Sequence, residues 1–139
     1  MNRRNAAIEG LIYCSARVML AAPFLFSGVT KALDPAAAMA EFAGLGLPEP
    51  ALLVLAVIAF QLTTGTLMTF GLWVTPVALA LAGFTFLATI AGHPFWRADG
   101  AALIHDATTA LEHLGLIGGL LALVILERTA GRGHNATSP

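Results

Sequence analysis

Four long apolar stretches fill most of this chain, and each is long enough to cross a lipid bilayer. A helix crosses the hydrocarbon core with about 20 apolar residues. Because lipid offers the backbone no hydrogen bonds, a spanning chain must form helices or a closed barrel. The stretches lack the alternation of apolar and polar residues that barrel strands show, so helices are predicted. The predicted spans are Leu11–Leu33, Ala51–Leu72, Trp73–Gly92 and Ala107–Leu126.

The composition is that of a membrane protein rather than a soluble one. Hydrophobic residues make up 58% of the chain and charged residues only 11%, whereas a typical soluble domain has about 25% charged residues. The net charge is -1 and no basic block is present, which argues against nucleic-acid binding. We therefore expect an all-α, integral membrane four-helix bundle. Its expected surroundings are the lipid bilayer, and association between copies of the chain is left open.

The first apolar run has two interpretations, because it follows a basic N-terminus, Met1–Arg4, as the core of a signal peptide would. Arg17 and Lys31 interrupt the run, and no small-residue cleavage site follows a short apolar core. An uncleaved first membrane helix is therefore predicted. The single cysteine, Cys14, excludes an internal disulfide, a C-x-x-C redox pair and a multi-cysteine metal site within this chain.

The residues between the apolar runs predict the connections. Asp34 and Pro35 end the first helix and favour a short helix over Pro35–Ala43, with Asp34 as its N-cap. Residues 1–127 are interpreted as one four-helix transmembrane domain, and residues 128–139 as a disordered cytoplasmic tail. The connection between the third and fourth helices is predicted to carry Arg97, Asp99, His105 and Asp106.

The distribution of basic residues predicts the orientation of the chain, since Lys and Arg accumulate on the cytoplasmic side. The side of the two termini carries Arg3, Arg4, Arg128 and Arg132. The opposite side has only Lys31 and Arg97 among several carboxylates. Because an even number of helices returns the chain to its starting side, both termini are predicted to be cytoplasmic.

Arg17 is a charged residue inside the first apolar run, about 9 Å from its start. An unpaired charge at that depth is costly. In one interpretation the arginine side chain extends to the cytoplasmic phosphates and the span begins near Val18. The other is a polar strip directed into the bundle, on the helix face that holds Arg17, Phe24, Gly28 and Lys31.

Lys31 and Gln61 each have a structural and a functional interpretation. Lys31 either anchors the outer end of the first helix or pairs with a carboxylate such as Glu112 or Asp106. Gln61 lies in the middle of the second helix, beside a run of small and hydroxyl residues. Such residues ordinarily hold membrane helices together, and the alternative is contact with a carrier headgroup or a solute.

A cluster of polar side chains is predicted near the end of the third helix and the start of the fourth. Histidine is often a metal ligand or a proton carrier. A proton relay or a quinone-headgroup site is therefore one interpretation, and an ordinary polar surface with aromatic anchors is the other. A metal site is not predicted. Asp106 and His113 share a helix face if the fourth helix begins early. The members are His93, His105, Asp106, Glu112 and His113, accompanied by Phe95 and Trp96.

Three short segments of the chain, taken in order, resemble the pattern of a known family. Arg17 is followed by an apolar run and then by Phe26–Lys31, which reads F-S-G-V-T-K. Gly92–Trp96 reads G-H-P-F-W, and Leu114–Leu121 reads L-G-L-I-G-G-L-L. Their order and spacing resemble the DoxX family of small four-helix membrane proteins. The resemblance extends from Arg17 to Leu126.

The resemblance implies an integral protein of a bacterial cytoplasmic (inner) membrane. The family is linked to sulfur-compound oxidation through a thiosulfate:quinone oxidoreductase subunit, and some members are associated with redox-stress complexes. Many relatives carry a glutamate near Gln61, and a Lys-Asn pair where this chain has Glu112 and His113. A more remote resemblance to four-helix quinone-linked disulfide enzymes is opposed by the lack of a cysteine pair.

Three function hypotheses follow. The first is a membrane subunit of a quinone-linked redox complex, an accessory subunit rather than a self-contained enzyme, with quinone as its candidate cofactor. The second is a structural or assembly protein without chemistry of its own, and the third is a carrier of a small solute or lipid. In the first hypothesis the quinone-binding residues are predicted to be Arg17, Lys31, Gln61, His93 and His113.

Overall fold

The computed structural model describes residues 3–135 of the chain, with side chains through Thr129. Residues 3–135 form helices and connections, without a strand. A short 3-10 helix, Phe95–Arg97, lies between the last two α-helices. The α-helices are α1 (Arg3–Leu33), α2 (Pro35–Gly44), α3 (Pro50–Phe70), α4 (Val74–Gly92) and α5 (Gly100–Asn135).

In the described part of the chain, four segments are long and apolar enough to cross a membrane. Between 17% and 33% of the most apolar window of each segment is buried within the protein, so most of its surface is left for lipid. The predicted all-α, membrane-spanning fold is confirmed, whereas the orientation of the termini stays a prediction. The segments are Arg3–Leu33, Pro50–Phe70, Val74–Arg97 and Gly100–Thr129.

The chain forms two compact units, Met1–Trp73 and Val74–Pro139. In the first unit, α1 and α2 both pack against α3. α1 and α3 run antiparallel, because Arg17 on α1 lies against Gly71, whereas Leu25 lies against Gly65. Residue numbers along α1 therefore increase in the direction in which those along α3 decrease. The grouping of all four spans into a single domain stays a prediction.

The predicted short helix is present as α2, and its start follows the expected chemistry. Asp34 Oδ1 accepts a hydrogen bond from the backbone N–H of Ala37 at 3.0 Å, and Pro35 occupies the first turn. A carboxylate in this position satisfies an N–H that has no partner within the helix. The N-cap and the helix predicted over Pro35–Ala43 are thus confirmed, with one further residue, Gly44, at the end.

In the second unit, α4 and α5 pack against each other, and the 3-10 helix packs on α5. Apart from Thr85, the buried side chains of this unit are small and branched apolar residues, as expected where two helices approach closely. Leu81 and Ala78 on α4 and Leu120 on α5 are fully buried. This packing fixes the end of α4 beside the first half of α5.

α5 differs from the fourth helix predicted by hydropathy at both of its ends. It begins at Gly100 rather than at Ala107, so the prediction that His105 and Asp106 lie in a loop is wrong. The helix also continues past Glu127 to Asn135, through part of the segment predicted to be a disordered tail. Residues 136–139 of that tail lie outside the described residues. His105 and Asp106 interrupt the apolar pattern near the start of α5, and Glu127 and Arg128 interrupt it near the end, so a hydropathy profile shortens the helix at both ends.

Candidate functional site

The early start of α5 brings together four of the five polar side chains predicted near the ends of the third and fourth helices, whereas the fifth, Glu112, is exposed. His93 directly follows α4, whereas Asp106 and His113 lie two turns apart on α5. Because residues seven positions apart share one helix face, both α5 side chains are presented to His93. We call this group the histidine cluster and define it as Thr89, His93, His105, Asp106 and His113.

His93 and Asp106 form a contact between an imidazole and a carboxyl group in the histidine cluster. His93 Nδ1 lies 3.3 Å from Asp106 Oδ1, and the two side chains are 28% and 19% exposed. Since an ionised carboxylate can only accept hydrogen bonds, the proton of this contact belongs to His93 Nδ1. The other ring nitrogen, Nε2, is then the position at which this imidazole can take up or release a second proton.

Thr89 fixes the tautomer of His113 through a short chain of hydrogen bonds. The Thr89 hydroxyl donates to the backbone carbonyl of Thr85 at 2.7 Å, and the same oxygen lies 2.7 Å from His113 Nδ1. A threonine hydroxyl has one hydrogen, so Thr89 accepts the bond from Nδ1–H of His113. This network assigns the Nδ1–H tautomer and leaves Nε2 of a neutral His113 with a free lone pair.

The rings of the histidine cluster contact one another edge to face. The ring centroids of His93 and His113 are 5.6 Å apart, and those of His93 and His105 are 6.3 Å apart. His105 is exposed at the margin of the cluster. Among the side chains that the structure describes, no three His, Cys, Asp or Glu residues converge as metal ligands would.

An apolar groove of about 440 Å³ lies beside the histidine cluster on α4 and α5. Its walls are almost entirely hydrocarbon and aromatic, and Thr89 is the hydroxyl residue in its lining. The groove therefore meets the histidine cluster at Thr89, whose hydroxyl also contacts His113. The lining consists of Phe86, Thr89, Ile90, Phe95, Trp96, Ala107, Ala110, Leu111, Leu114 and Ile117.

The first unit holds a second polar group, which we call the Ser27 cluster and define as Ser27, Lys31 and Gln61. Ser27 Oγ accepts a hydrogen bond from Lys31 Nζ at 2.9 Å and another from Gln61 Nε2 at 3.1 Å. Gln61 is only 4% exposed, and its Oε1 has no hydrogen-bond partner. Helices α1 and α3 approach closely here because Gly28 lies directly against Gln61 and Leu62.

Arg17 lies at the other end of the α1–α3 contact, about 21 Å along α1 from Lys31. Its guanidinium packs against Gly71, the residue that caps the C-terminus of α3. The guanidinium carbon, Cζ, lies 5.1 Å from the centroid of the Tyr13 ring. Nη2 donates to Cys14 Sγ at 3.4 Å, whereas Nε is buried without a partner. A cation is favoured at this position by the negative end of the α3 dipole.

The structure thus divides the five predicted quinone-binding residues into three places. Lys31 and Gln61 meet at Ser27, His93 meets His113, and Arg17 lies alone at the end of α3. Sequence reasoning missed the two hydroxyl groups that organise these contacts, Ser27 and Thr89. Ser27 belongs to the S-G-x-x-K segment, and its spacing of four from Lys31 on a helix was the available signal.

Comparison with known proteins identifies the family. The DoxX family model matches residues 13–94, more than half of the 139-residue chain. A similar curated protein is "Inner membrane protein YphA" of Escherichia coli (strain K12), which is 23% identical over 119 residues, covering 86% of this chain and 85% of the relative. No solved structure matches the chain. Together with the four apolar helices, these matches confirm the predicted location, and the chain belongs to the DoxX family of integral inner-membrane proteins.

Proposed function

We propose that this protein is the membrane subunit of a quinone-linked redox complex and that it holds the quinone headgroup in the groove between α4 and α5. The observation that carries the proposal is that Thr89 lines this apolar groove and also contacts His113 through its hydroxyl oxygen. Ligand sites are typically apolar volumes with a few polar groups at one end. A quinone has the matching form, since its ring and tail are apolar and its oxygens are polar.

The histidine cluster suits both redox states of a quinone. A quinone carbonyl accepts hydrogen bonds, whereas a quinol hydroxyl must donate its proton when it is oxidised. His93 and His113 each use Nδ1 in a bond within the protein, to Asp106 and Thr89 respectively. Each imidazole is therefore held in a fixed orientation while Nε2 stays available to accept a proton from a quinol or donate one to a quinone.

The electrons in this proposal come from a partner protein. The chain has a single cysteine and so cannot pass electrons through a disulfide of its own. The role is therefore that of an accessory subunit, which binds quinone in the membrane while a partner carries out the oxidation. Of the predicted quinone-binding residues, His93 and His113 retain this role in the proposal.

Photolabelling in nanodiscs tests the proposal directly. The purified protein is reconstituted with an azido-ubiquinone, illuminated, digested and mapped by mass spectrometry. We expect label on α4 and α5, with competition by unlabelled ubiquinone. Ala110→Leu fills the groove and should abolish the label, because Ala110 lines the groove. Ala122→Leu on the exposed surface of α5 is the matched control and should label normally.

Two results would overturn the proposal. The first is the absence of competed label in the wild-type protein, which would favour the structural or assembly hypothesis. The second is label that Ala110→Leu and Ala122→Leu leave equally strong, because quinone would then bind elsewhere. Thr89→Val, set against the exposed hydroxyl variant Thr108→Val, tests the polar end of the groove separately, and only Thr89→Val should weaken labelling.

A further inference from the structure

We propose that the Ser27 cluster of the first unit binds an oxyanion of the phosphate type, supplied either by a lipid headgroup or by free phosphate. The cluster presents an ammonium group, a hydroxyl group and a buried amide side by side on α1 and α3. This site is separate in its residues from the groove of the second unit, and the inference does not depend on quinone binding.

Lys31 is the charged member of the site, and the protein leaves most of its donors unused. Its ammonium group has three hydrogens, and the structure gives it one bond, to Ser27 Oγ at 2.9 Å. Among the described side chains no carboxylate pairs with Lys31. Lys31 lies in the last turn of α1, where a lysine side chain extends to the level of the lipid headgroups, so the position favours an anionic ligand.

The backbone carbonyls at the C-terminus of α1 do not supply the missing negative charge for Lys31. A lysine in the last turn of a helix often neutralises the negative end of the helix dipole. Lys31 instead leans back to Ser27, four residues earlier, which corresponds to about 6 Å along the helix axis away from its end. This direction follows the normal tilt of helical side chains toward the N-terminus.

The hydroxyl of Ser27 can also donate a hydrogen bond. Its oxygen accepts from both Lys31 and Gln61, which uses its two lone pairs. The hydroxyl hydrogen is therefore left to donate, and the described residues give it no acceptor. The Ser27 hydroxyl and the two remaining Lys31 hydrogens together form a small set of donors suited to the oxygens of a phosphate group.

Gln61 provides the independent sign that a ligand belongs in this place. Gln61 is only 4% exposed, and its Oε1 has no hydrogen-bond partner. A buried polar atom without a hydrogen bond is rare and costly. A hydroxyl group of the ligand, on a protonated inorganic phosphate or on the glycerol of a phosphatidylglycerol headgroup, would donate to Oε1.

Binding measurements in dodecyl maltoside micelles distinguish the two sources of the oxyanion. Phosphatidylglycerol, phosphate-free diacylglycerol and inorganic phosphate are each added to the purified full chain, and binding is followed by native mass spectrometry and equilibrium dialysis. Preference for phosphatidylglycerol over diacylglycerol assigns a lipid headgroup, whereas saturable binding of inorganic phosphate assigns the free ion. Equal binding of the two lipids without phosphate binding, or no binding at all, would overturn the proposal.

Substitutions in the cluster identify the groups that bind. Lys31→Met should weaken binding about tenfold or more, as expected for the loss of a charged hydrogen bond. Lys31→Arg should retain most of it. Ser27→Ala keeps the charge and should also weaken binding, which separates a built site from a general attraction. Arg97→Met removes an exposed positive charge and serves as the matched control.

Two outcomes of the substitutions would contradict the proposal. One is an equal loss in Arg97→Met and Lys31→Met, which would indicate nonspecific surface charge. The other is full binding in Lys31→Met when circular dichroism shows that the variant is folded. Azido-quinone labelling of α4 and α5 should be unchanged in Lys31→Met, so failure of this inference and failure of the proposed function can be told apart.

Discussion

The guanidinium of Arg17 occupies the space beside Gly71 in which a side chain at position 71 would begin. Gly71 has a φ of 73° and caps the C-terminus of α3, with its N–H bonded to the carbonyls of Leu67 and Met68. A left-handed residue at this place is a common way to end a helix, and glycine adopts it without strain. Gly71 therefore caps the end of α3 and also leaves space for the guanidinium of Arg17.

Gly71→Ala should consequently destabilise the protein for two reasons. The left-handed conformation costs an L-residue about 1–2 kcal/mol, and the new methyl group would collide with Arg17. The free energy of unfolding, measured in mixed micelles by titration with SDS, should fall by at least about that amount. Gly83→Ala on α4 meets open space and is the control, expected to be neutral or slightly stabilising.

A double variant separates the two causes. Arg17→Ala removes the colliding group, so Gly71→Ala should cost less in that background than in the wild-type protein. The remaining cost would be that of the left-handed backbone alone. If the cost of Gly71→Ala is the same in both backgrounds, the close contact between the two residues is not present in the folded protein.

The packing of α1 on α3 predicts a second sensitive glycine. A methyl group on Gly65 would lie 2.8 Å from both Cδ2 and Cγ of Leu25, closer than carbon atoms approach in proteins. Gly65→Ala should therefore separate the two helices and lower the free energy of unfolding by about 1–3 kcal/mol, the usual cost of overpacking. Gly118→Ala on α5 meets open space and should not have this effect. Thermal unfolding in detergent compares the two, and equal stability of the variants would contradict the described α1–α3 packing.

The features that the sequence predicted well are those set by local chemistry. Span length follows from the thickness of the bilayer, and the start of α2 follows from the neighbouring residues Asp34 and Pro35. The family resemblance was likewise carried by short segments. These features can be predicted without knowing which helices pack against each other.

The contacts of both polar clusters depend on helix packing, which the sequence does not reveal by itself. Gln61 reaches Ser27 only because Gly28 lets α3 approach α1. Asp106 reaches His93 only because α5 begins at Gly100, where a φ of 58° lets the chain turn into the helix. Hydropathy reports the part of a helix that lies in hydrocarbon, so it placed Asp106 in a loop.

The Thr89–His113 contact predicts an unusual histidine tautomer. The Thr89 oxygen accepts from Nδ1–H of His113, whereas exposed neutral histidine favours a proton on Nε2. In the neutral state, ¹⁵N spectra of the labelled protein should show the Nδ1–H form of His113 in the wild type. Thr89→Val removes the acceptor and should shift the population to Nε2–H, whereas Thr89→Ser should preserve it.

The exposed pair Thr108 and Ile104 supplies the control for that measurement. The exposed Thr108 hydroxyl donates to the carbonyl of Ile104 on the same helix. Thr108→Val should therefore leave the His113 spectrum unchanged. An Nε2–H tautomer of His113 in the wild-type protein would contradict the hydrogen-bond network described for the cluster.

Asp106 should influence proton transfer more than quinone binding, if the proposed function is correct. Asp106→Asn keeps an oxygen that can accept from His93 Nδ1–H, so the ring should remain oriented. It removes the negative charge that would stabilise a protonated His93, the form that donates a proton when quinone is reduced. We therefore expect azido-quinone labelling to persist while partner-dependent electron transfer slows by about tenfold or more, within the usual range for a positioned acid or base.

Kinetics separate that role from a merely structural one. In Asp106→Asn the loss should appear in kcat, with KM for quinone nearly unchanged, since binding of the headgroup is retained. Asp106→Ala also removes the acceptor oxygen, so His93 would lose its fixed orientation and both constants should change. Asp99→Asn alters an exposed carboxylate before α5 and should have no effect. A rise in KM alone in Asp106→Asn would instead assign the carboxylate to quinone binding.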